Sequence, residues 1–517
     1  MQGNRLRDGK SVKRKASHTW AGVVLFAATV IASTAQPQTA YTPLIPPGHY
    51  APPAGTPTSE RTPPPLPQVT LRSDQIALLE HALDQADAQG LLRAEYSPAA
   101  ADTMMRSANP DIRRQGGDLL VAAVLRYARA VHSGRLAPAD FDSQWGLRPA
   151  DYDPTADFVQ AVNSDRLQPW LDNLPPPYSG YDALKGALAA YRDIAAKGGW
   201  APVADGPALK LGMTDPRVIA LRQRLAVEDT TVDAVAGPIF DQPLADAVAR
   251  AQKRYGQNPD GVLAHATLTA LNVPIDERIA QIIANMERWR WLPAALPSDR
   301  IQVNIAAAVL TLFKNDAPLL SMKAVTGRPG DDTPMLQSQI SSVVLNPPWN
   351  VPGDIAAKEL WPKERANPGY FARNDFIVVP MGDTTRLVQK AGPKAALGHV
   401  KFDFVNKYGV YLHDTPTHGT FAKYTRQDSH GCVRLEKPVV LAKTLFDGDP
   451  QWTPQTIDDT IAGGDTVRAP LQKPIAVFLL YWTAFVGADG AANFRADPYG
   501  WDALLMQRIA AAQRGNA

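Results

Sequence analysis

The residues with the clearest chemical potential are one cysteine and a histidine that precedes it. Cys432 is the only cysteine among 517 residues, and it follows Gly431 in the run S-H-G-C-V-R-L at positions 429–435. His413 ends the apolar run Val-Tyr-Leu at positions 410–412. A free thiol has a pKa of about 8.5, so a cysteine nucleophile needs an imidazole or backbone N–H dipoles nearby to lower it. We therefore interpret Cys432 as a candidate nucleophile and His413 as its candidate base.

The glycine before the cysteine has its own role in this interpretation. Gly431 permits a sharp turn, after which the N–H groups around Gly431 and Cys432 can point to one spot. A tetrahedral oxyanion would form at that spot during acyl transfer. The alternative is structural, because a free cysteine is often a small buried hydrophobic residue. The residues around Cys432 favour catalysis.

Several residue types are fixed around this one cysteine. The run S-H-G-C-V-R-L, with an upstream histidine followed by Asp-Thr-Pro, resembles the L,D-transpeptidase catalytic domain of the YkuD type, in its large periplasmic subfamily. The resemblance implies that Cys432 is the nucleophile and His413 the general base. It also implies that Arg434 faces the cleft and binds a carboxylate, whereas an ordinary ion pair with Glu436 or Asp428 is the alternative.

Three further residues are assigned to the substrate cleft by the same resemblance: Tyr411, Trp349 and His430. Trp349 lies in the proline-rich segment 346–352, which we predict to be a loop. An aromatic residue there either lines the cleft or fills the core, and only the resemblance favours the cleft. His430 is either a helper of the thiolate or a structural residue.

Two neighbours of the candidate base offer alternatives. His418 stands in an H-G-T run, the form that the catalytic histidine takes in many shorter relatives. We favour His413, because a strand pattern would deliver it, whereas His418 lies in a polar stretch. The Asp414 carboxylate would orient the imidazole in a triad, although the family more often uses a backbone carbonyl. No Cys/His cluster has ligand spacing, so we predict neither a metal nor another cofactor.

The N-terminal residues have the composition of an export signal followed by a tether. Basic residues are frequent in the first 17 positions, an apolar stretch follows at 20–32, and small residues end it. We predict a signal peptide at 1–35 and a periplasmic, cell-wall-associated protein, with membrane contact only through an uncleaved leader. Residues 36–70, rich in Pro, Thr, Ala and Gly, are predicted to be a disordered tether. A single cysteine excludes an internal disulfide.

Helical periodicity dominates the next segments. Residues 71–205 place apolar residues on helical faces, including Leu119 and Leu125, and resemble the scaffold domain of the large L,D-transpeptidases. Residues 206–273 show three short helical stripes between turn sequences and are similar to the three-helix peptidoglycan-binding domain, with a bundle of unknown purpose as the alternative. Residues 274–300 are predicted to be a linking helix.

Strand patterns begin after that helix. We assign residues 301–500 to a mixed-β catalytic domain and 501–517 to a C-terminal helix. Alternating or continuous apolar residues predict these strands: 301–305, 309–313, 321–326, 341–346 and 474–485. The stretch from about 355 to 404 is too long for a plain connection, so we predict a capping insertion. Its lysines are candidates for substrate carboxylates, although solvated surface lysines are commoner: Lys363, Lys390 and Lys394.

The predicted fold class is multidomain α+β: a helical scaffold, a three-helix peptidoglycan-binding bundle, and a mixed-β catalytic domain with a capping insertion. Lys and Arg total 53 against 51 Asp and Glu, so no basic excess indicates nucleic acid. The resemblance implies an L,D-transpeptidase that acts on peptidoglycan stem peptides and forms 3-3 cross-links, with a role in cell-wall organisation and cell shape.

The alternatives differ in the acceptor or in the class of protein. With water as the acceptor, the same site would be an L,D-carboxypeptidase, and with a protein lysine it would attach proteins to peptidoglycan. A non-catalytic wall-binding protein is a further alternative, which the loss of Cys432 or His413 would have favoured. A papain-like peptidase would carry its cysteine early and its histidine far downstream, the reverse of the order here.

Overall fold

The computed structural model describes residues 65–382 and 384–515. The predicted signal peptide and most of the predicted tether lie outside these residues. At the end of the predicted tether, Leu66 and Val69 are partly buried against the first helical core. The prediction of a tether to residue 70 is therefore wrong at its C-terminal end, because apolar side chains there have a core to pack on.

The described residues from 65 to about 200 form seven helices and two short 3-10 turns. They are α1 (Ser73–Asp84), α2 (Arg93–Tyr96), α3 (Ala101–Met105), α4 (Pro110–Ser133), α5 (Thr155–Asn163), α6 (Leu167–Asp172) and α7 (Ser179–Ala196), with 3-10 turns at Ala86–Gln89 and Pro138–Asp140. The Asn109 side chain accepts a hydrogen bond from the Asp111 N–H and so caps α4, which ends at Gly134 with φ at 90°. Val124 of α4 is buried, but Leu119 from the predicted stripe is 42% exposed.

Three short helices form the next unit, as predicted. They are α8 (Arg217–Ala226), α9 (Gln242–Arg254) and α10 (His265–Leu271). The Asp241 carboxylate accepts a hydrogen bond from the Leu244 N–H at 3.0 Å and caps α9. Their apolar stripes meet in one core, which includes Val218, Val248 and Leu271.

The linking helix is a packed element between two cores. Helix α11 (Ile275–Trp289) buries Ile282 in the core of the three-helix unit and Ala284 in the core of the sheet. The predicted linking helix at 274–300 is correct only in its first part, because no helix continues beyond α11.

The strands of the described chain follow α11. They are β1 (Arg300–Asn304), β2 (Val309–Lys314), β3 (Ala317–Gly327), β4 (Leu336–Leu345), β5 (Trp349–Asn350), β6 (Phe376–Met381), β7 (Thr384–Gln389), β8 (Val400–Phe404), β9 (Leu412–His413), β10 (Gln427–Ser429), β11 (Val433–Leu435), β12 (Val467–Leu480), β13 (Ala484–Val486) and β14 (Ala492–Phe494). Nine of them form one mixed sheet in the order β10-β3-β11-β9-β8-β4-β12-β1-β2. Because β2 also pairs with β3, the sheet closes on itself.

The predicted strands correspond to the sheet with one displacement. The four strands predicted between residues 301 and 346 correspond to β1, β2, β3 and β4. The strand predicted at 474–485 corresponds to β12, which begins and ends earlier than predicted. It pairs with β4 on one side and with β1 on the other. It is central, as its apolar run indicates.

The capping insertion has a small core of its own. It contains the three-stranded sheet β5-β7-β6, the helices α12 (Gly353–Ile355), α13 (Trp361–Ala366) and α14 (Tyr370–Arg373), and a π-helical turn at Ala356–Leu360. The predicted bounds of 355–404 are wrong at both ends: β5 already belongs to the insertion, and β8 belongs to the main sheet. The predicted loop at 346–352 likewise contains β5, since Trp349 pairs with Gln389 of β7.

Three further helices complete the chain. They are α15 (Pro438–Leu445), α16 (Pro454–Gly463) and α17 (Trp501–Gly515). Trp501 and Leu505 of α17 are buried in the core of the sheet, so the terminal helix belongs to the catalytic domain. In the described part of the chain, none of the helices has the length and apolarity that a membrane span requires.

Candidate active site

Three adjacent strands position the candidate site. A row of buried residues, in register across β8, β9 and β11, faces the core: Phe402, Leu412 and Val433. In the next row His413 lies opposite Lys401 of β8 and opposite Arg434 of β11. Because side chains alternate between the faces of a strand, this second row lies on the face away from the core. Tyr411 and Cys432 directly precede the buried row and share that face.

His413 is held as a neutral imidazole. It is 4% exposed, and its Nδ1 is hydrogen-bonded to the backbone carbonyl oxygen of Asp414. A carbonyl oxygen only accepts, so Nδ1 carries the proton and Nε2 is left with a free lone pair. The pKa of His413 is lowered to about 3, mainly by burial and also by the charges of Arg434 and Lys401, while the hydrogen bond to Asp414 acts in the opposite direction.

The thiol lies half-buried on the same face. Burial raises the pKa of Cys432, while hydrogen bonds from the backbone and hydroxyl of Tyr411 and the charges of Lys401 and Arg434 lower it. At neutral pH the resting site therefore contains a protonated thiol and a neutral imidazole. No direct hydrogen bond joins Cys432 to His413 in the described structure, and such bonds often form only with substrate bound.

The turn before the cysteine is fixed by hydrogen bonds. Gly431 has φ at 101°, a region that side-chain-bearing residues rarely adopt. Its carbonyl accepts from Thr333 Oγ1 at 2.7 Å, and its N–H donates to Ser429 Oγ at 3.2 Å. The expectation that the Gly431 N–H takes part in an oxyanion hole is therefore corrected. The Cys432 N–H makes no hydrogen bond to any described residue and remains available for an oxyanion.

Arg434 is a half-buried cation that forms no ion pair with any residue the structure describes. Neither alternative partner pairs with it: Asp428 contacts Lys423 at 3.3 Å, and the Glu436 carboxylate accepts from the Lys323 N–H at 3.2 Å. Burial lowers the pKa of Arg434, and Asp428 and Cys432 act against this through their charges. Within the described residues, its guanidinium is free to bind an anion in the cleft.

Tyr411 and Trp349 connect the insertion to the thiol. Burial raises the pKa of Tyr411 strongly, and Cys432 and Trp349 both lie near enough to its hydroxyl to act on that pKa, Cys432 raising it and Trp349 lowering it. The Tyr411 ring centroid lies 5.5 Å from that of His413. Trp349 also packs on the core of the insertion. The two interpretations of Trp349, cleft wall and core plug, therefore both describe its position.

His430 contacts the insertion. Its Nε2 lies 2.6 Å from Glu359 Oε1 in the π-helical turn, and Arg328 approaches the same oxygen at 3.6 Å. The hydrogen bond to His430 is the main cause that lowers the pKa of Glu359. His430 thus joins the loop that carries Cys432 to the insertion that lies over it.

The alternatives considered for the base lie elsewhere. His418 is exposed in a 3-10 turn at His418–Ala422. The Asp414 carboxylate accepts from the N–H groups of His399 (2.7 Å) and Thr415 (2.7 Å), so the carbonyl of Asp414, not its carboxylate, orients the imidazole. No group of three or more potential ligands in the described residues is arranged to hold a metal.

The lysines predicted to meet substrate lie in the insertion. Lys394 donates to the Arg373 carbonyl at 2.8 Å, Lys363 lies 6.0 Å from the Tyr370 ring centroid, and Lys390 is exposed. The lysine beside the candidate base is Lys401, which the sequence did not single out. The only available signal was the alternation of β8, which places Lys401 on one face with Asp403.

A thiol and a neutral imidazole on adjacent strands of a mixed sheet define a candidate site for acyl transfer through cysteine. The family model for the L,D-transpeptidase catalytic domain, named YkuD, matches residues 298–452. The scaffold domain matches residues 70–188, and a peptidoglycan-binding domain matches residues 214–271. The chain therefore carries the catalytic domain of the L,D-transpeptidase family together with a peptidoglycan-binding domain.

Individual relatives agree with this assignment. A curated Haemophilus influenzae protein, named as an L,D-transpeptidase, is 31% identical over 244 residues, which are 44% of this chain. The chain spans about half the length of that relative, 49%.

Solved structures of L,D-transpeptidases also match. A Mycobacterium smegmatis enzyme is 16% identical, with 35% of this chain and 58% of that chain covered at a TM-score of 0.19. The ertapenem-acylated catalytic domain of the E. faecium L,D-transpeptidase is 12% identical. The match covers 36% of this chain and 99% of that chain at a TM-score of 0.18.

Proposed function

We propose that the protein is an L,D-transpeptidase that forms 3-3 cross-links between peptidoglycan stem peptides. The observation that carries this proposal is the arrangement of the base. The Asp414 carbonyl holds the proton of His413 on Nδ1 and leaves the lone pair on Nε2, and strand register places His413 beside Arg434, two residues after Cys432. The proposed location is the periplasm, with residues 1–35 as the export signal and the peptidoglycan-binding domain in contact with the wall.

Acylation is the first half of the proposed reaction. Nε2 of His413 takes the thiol proton as the sulfur of Cys432 attacks the carbonyl carbon of the L,D bond before the terminal D-Ala of a tetrapeptide stem. The Cys432 N–H donates to the resulting oxyanion. The tetrahedral intermediate collapses as His413 returns the proton to the amine of D-Ala. D-Ala leaves, and the rest of the stem is a thioester on Cys432.

Deacylation transfers the stem to an acceptor. A side-chain amine of a second stem attacks the thioester carbon, and His413 takes a proton from that amine. The carbon–sulfur bond breaks, an amide forms, and the proton returns to the sulfur of Cys432. With water in place of the amine, the same steps would release a tripeptide, and with a protein lysine they would attach a protein.

Product analysis tests this proposal directly. Tetrapeptide muropeptides incubated with the full chain should yield free D-Ala and 3-3 dimers, resolved by liquid chromatography and mass spectrometry. The Cys432→Ala variant should yield neither, whereas His418→Ala should match the unsubstituted protein. Tripeptides without dimers would indicate a carboxypeptidase. Equal products from the protein with and without Cys432 would refute the proposed chemistry.

A further inference from the structure

Lys401 is a charged residue of the cleft that the proposed mechanism does not use. It lies in register with His413, on the strand opposite to the one that carries Arg434. Its Nζ lies 4.2 Å from the Tyr411 ring centroid, and that ring contacts the imidazole of His413. The candidate base thus has a cation on either side, one from each neighbouring strand.

An ion pair with Asp403 holds the Lys401 side chain in place. Its Nζ pairs with Asp403 at 2.8 Å, and Asp403 also pairs with Arg468 of β12 at 2.6 Å. Arg468 in turn donates to Ser342 Oγ at 2.7 Å. One carboxylate shared by two cations leaves this group with a net positive charge. Among the described residues, Asp403 is the only ion-pair partner of the Lys401 ammonium, which can therefore bind a second anion.

We propose that Lys401 is a second carboxylate-binding residue of the donor site, and that Lys401 and Arg434 bind different carboxylates of the same stem peptide. This inference rests on the proposed function and specifies its substrate. A tetrapeptide donor whose diamino acid has a carboxylate on its side chain carries one carboxylate on each side of the scissile amide. One leaves with the terminal residue, and the other stays in the thioester. One cation on each side of the candidate base, Lys401 on β8 and Arg434 on β11, matches this distribution of charge.

A purely structural role makes a different prediction. If Lys401 only held Asp403 and Tyr411 in place, its loss would weaken every ligand to the same extent. If it binds one carboxylate, its effect disappears when that carboxylate is removed from the ligand. A cycle of protein variants and ligand analogues separates these two roles.

The test measures binding without turnover. In the Cys432→Ala protein, calorimetry gives Kd for three tetrapeptides: the parent, an analogue with the side-chain carboxylate amidated, and an analogue with the terminal carboxylate amidated. Lys401→Met should raise Kd for the parent about tenfold, as expected for a charge-assisted hydrogen bond, and less than about twofold for one of the two analogues. Arg434→Met should likewise raise Kd for the parent, and it should have little effect on Kd for the other analogue.

Control variants exclude trivial explanations. Lys473→Met removes an exposed lysine of β12, where no cleft residue lies, and should leave all three Kd values unchanged. Lys401→Arg keeps the charge and should retain most of the affinity for the parent. If Lys401→Arg binds as weakly as Lys401→Met, the loss comes from a disturbed fold and not from the missing charge.

Three results would overturn the inference: unchanged Kd in Lys401→Met, the same rise for all three peptides, or no binding of the parent to the Cys432→Ala protein. Turnover is measured separately on the protein with Cys432 intact. Charge-dependent binding without turnover would refute the proposed function and leave this inference standing.

Discussion

At the scale of single residues, the site keeps its acid and base neutral rather than as a preformed ion pair. Burial lowers the pKa of His413 and raises that of Cys432, so the proton stays on sulfur until substrate arrives. Lys401 and Arg434 favour the same state of the imidazole, because a nearby positive charge opposes its protonation. In the proposed mechanism, the lone pair of Nε2 therefore activates the thiol only during attack.

This arrangement predicts an unusual pH dependence. Because the pKa of His413 is about 3, the base is neutral above that pH and is lost only below it. The rate of acylation should therefore not rise through pH 6.5, where an ordinary histidine titrates. The acylation rate, measured by stopped flow from about pH 4 to about pH 8, should be nearly constant. A tenfold rise centred near pH 6.5 would contradict the account.

The charge of Arg434 offers a matched test of the cause. Arg434 lowers the pKa of His413, so Arg434→Met should move the acidic limb of the rate profile to higher pH. The exposed Arg373 of the insertion lies outside the cleft, and Arg373→Met should leave the limb in place. An unmoved limb in Arg434→Met would show that the charge of Arg434 does not contribute to the lowered pKa of His413.

At the scale of elements, the contact between the insertion and the cysteine loop is polar and half-exposed. His430 and Glu359 have side chains that are 29% and 34% exposed, and Arg328 adds a longer ion pair. Exposed ion pairs contribute at most about 1 kcal/mol, so the contact holds the insertion without fixing it permanently. A peptide can therefore enter if this contact opens.

Glu359→Gln should loosen the insertion with little effect on the fold. Hydrogen exchange of residues 353–366 should become faster, because the hydrogen bond of 2.6 Å to His430 loses its charge. The melting temperature should change little. Asp354→Asn, an exposed substitution in the same insertion, is the control. Unchanged exchange in Glu359→Gln would show that apolar packing, through Trp349, holds the insertion instead.

At the scale of the whole molecule, the helical scaffold supports the active-site turn. Gly146 donates to the Met335 carbonyl at 2.8 Å, and Met335 donates to the Gln144 carbonyl at 2.9 Å. From there the chain leads back to Thr333, whose hydroxyl holds the Gly431 carbonyl. The scaffold thus contributes to the geometry of the site as well as to its own core.

Trp145 is the residue through which this support is best tested. It is fully buried among aromatic rings of the sheet core, with the Trp291 ring centroid at 5.6 Å. Trp145→Ala should cost about 3–5 kcal/mol of unfolding free energy and lower the acylation rate. Ile112→Ala, at a site that is 37% exposed, should change neither. Chemical denaturation and acylation kinetics measure both effects, and an active, equally stable Trp145→Ala protein would refute the supporting role.

The sequence predicted the helical units and the sheet because these depend on local periodicity, and the dense motif around Cys432 suggested the candidate pair. It missed Lys401 because strand register, not sequence distance, brings Lys401 beside His413. It also placed the end of the insertion inside β8, since the short apolar run of β8 does not show whether it belongs to the small or the main sheet. The engaged N–H of Gly431 depends on a serine hydroxyl, and no pattern specifies that contact.

The proposed chemistry requires Cys432 as an acyl-accepting nucleophile and His413 as its base. Its most direct test is intact-mass spectrometry of the full chain after exposure to a carbapenem, followed by peptide mapping. We expect one equivalent of the carbapenem on the peptide that contains Cys432, a rate at least tenfold lower in His413→Gln, and no adduct in Cys432→Ala. An adduct on another residue, or none on the unsubstituted protein, would contradict the account.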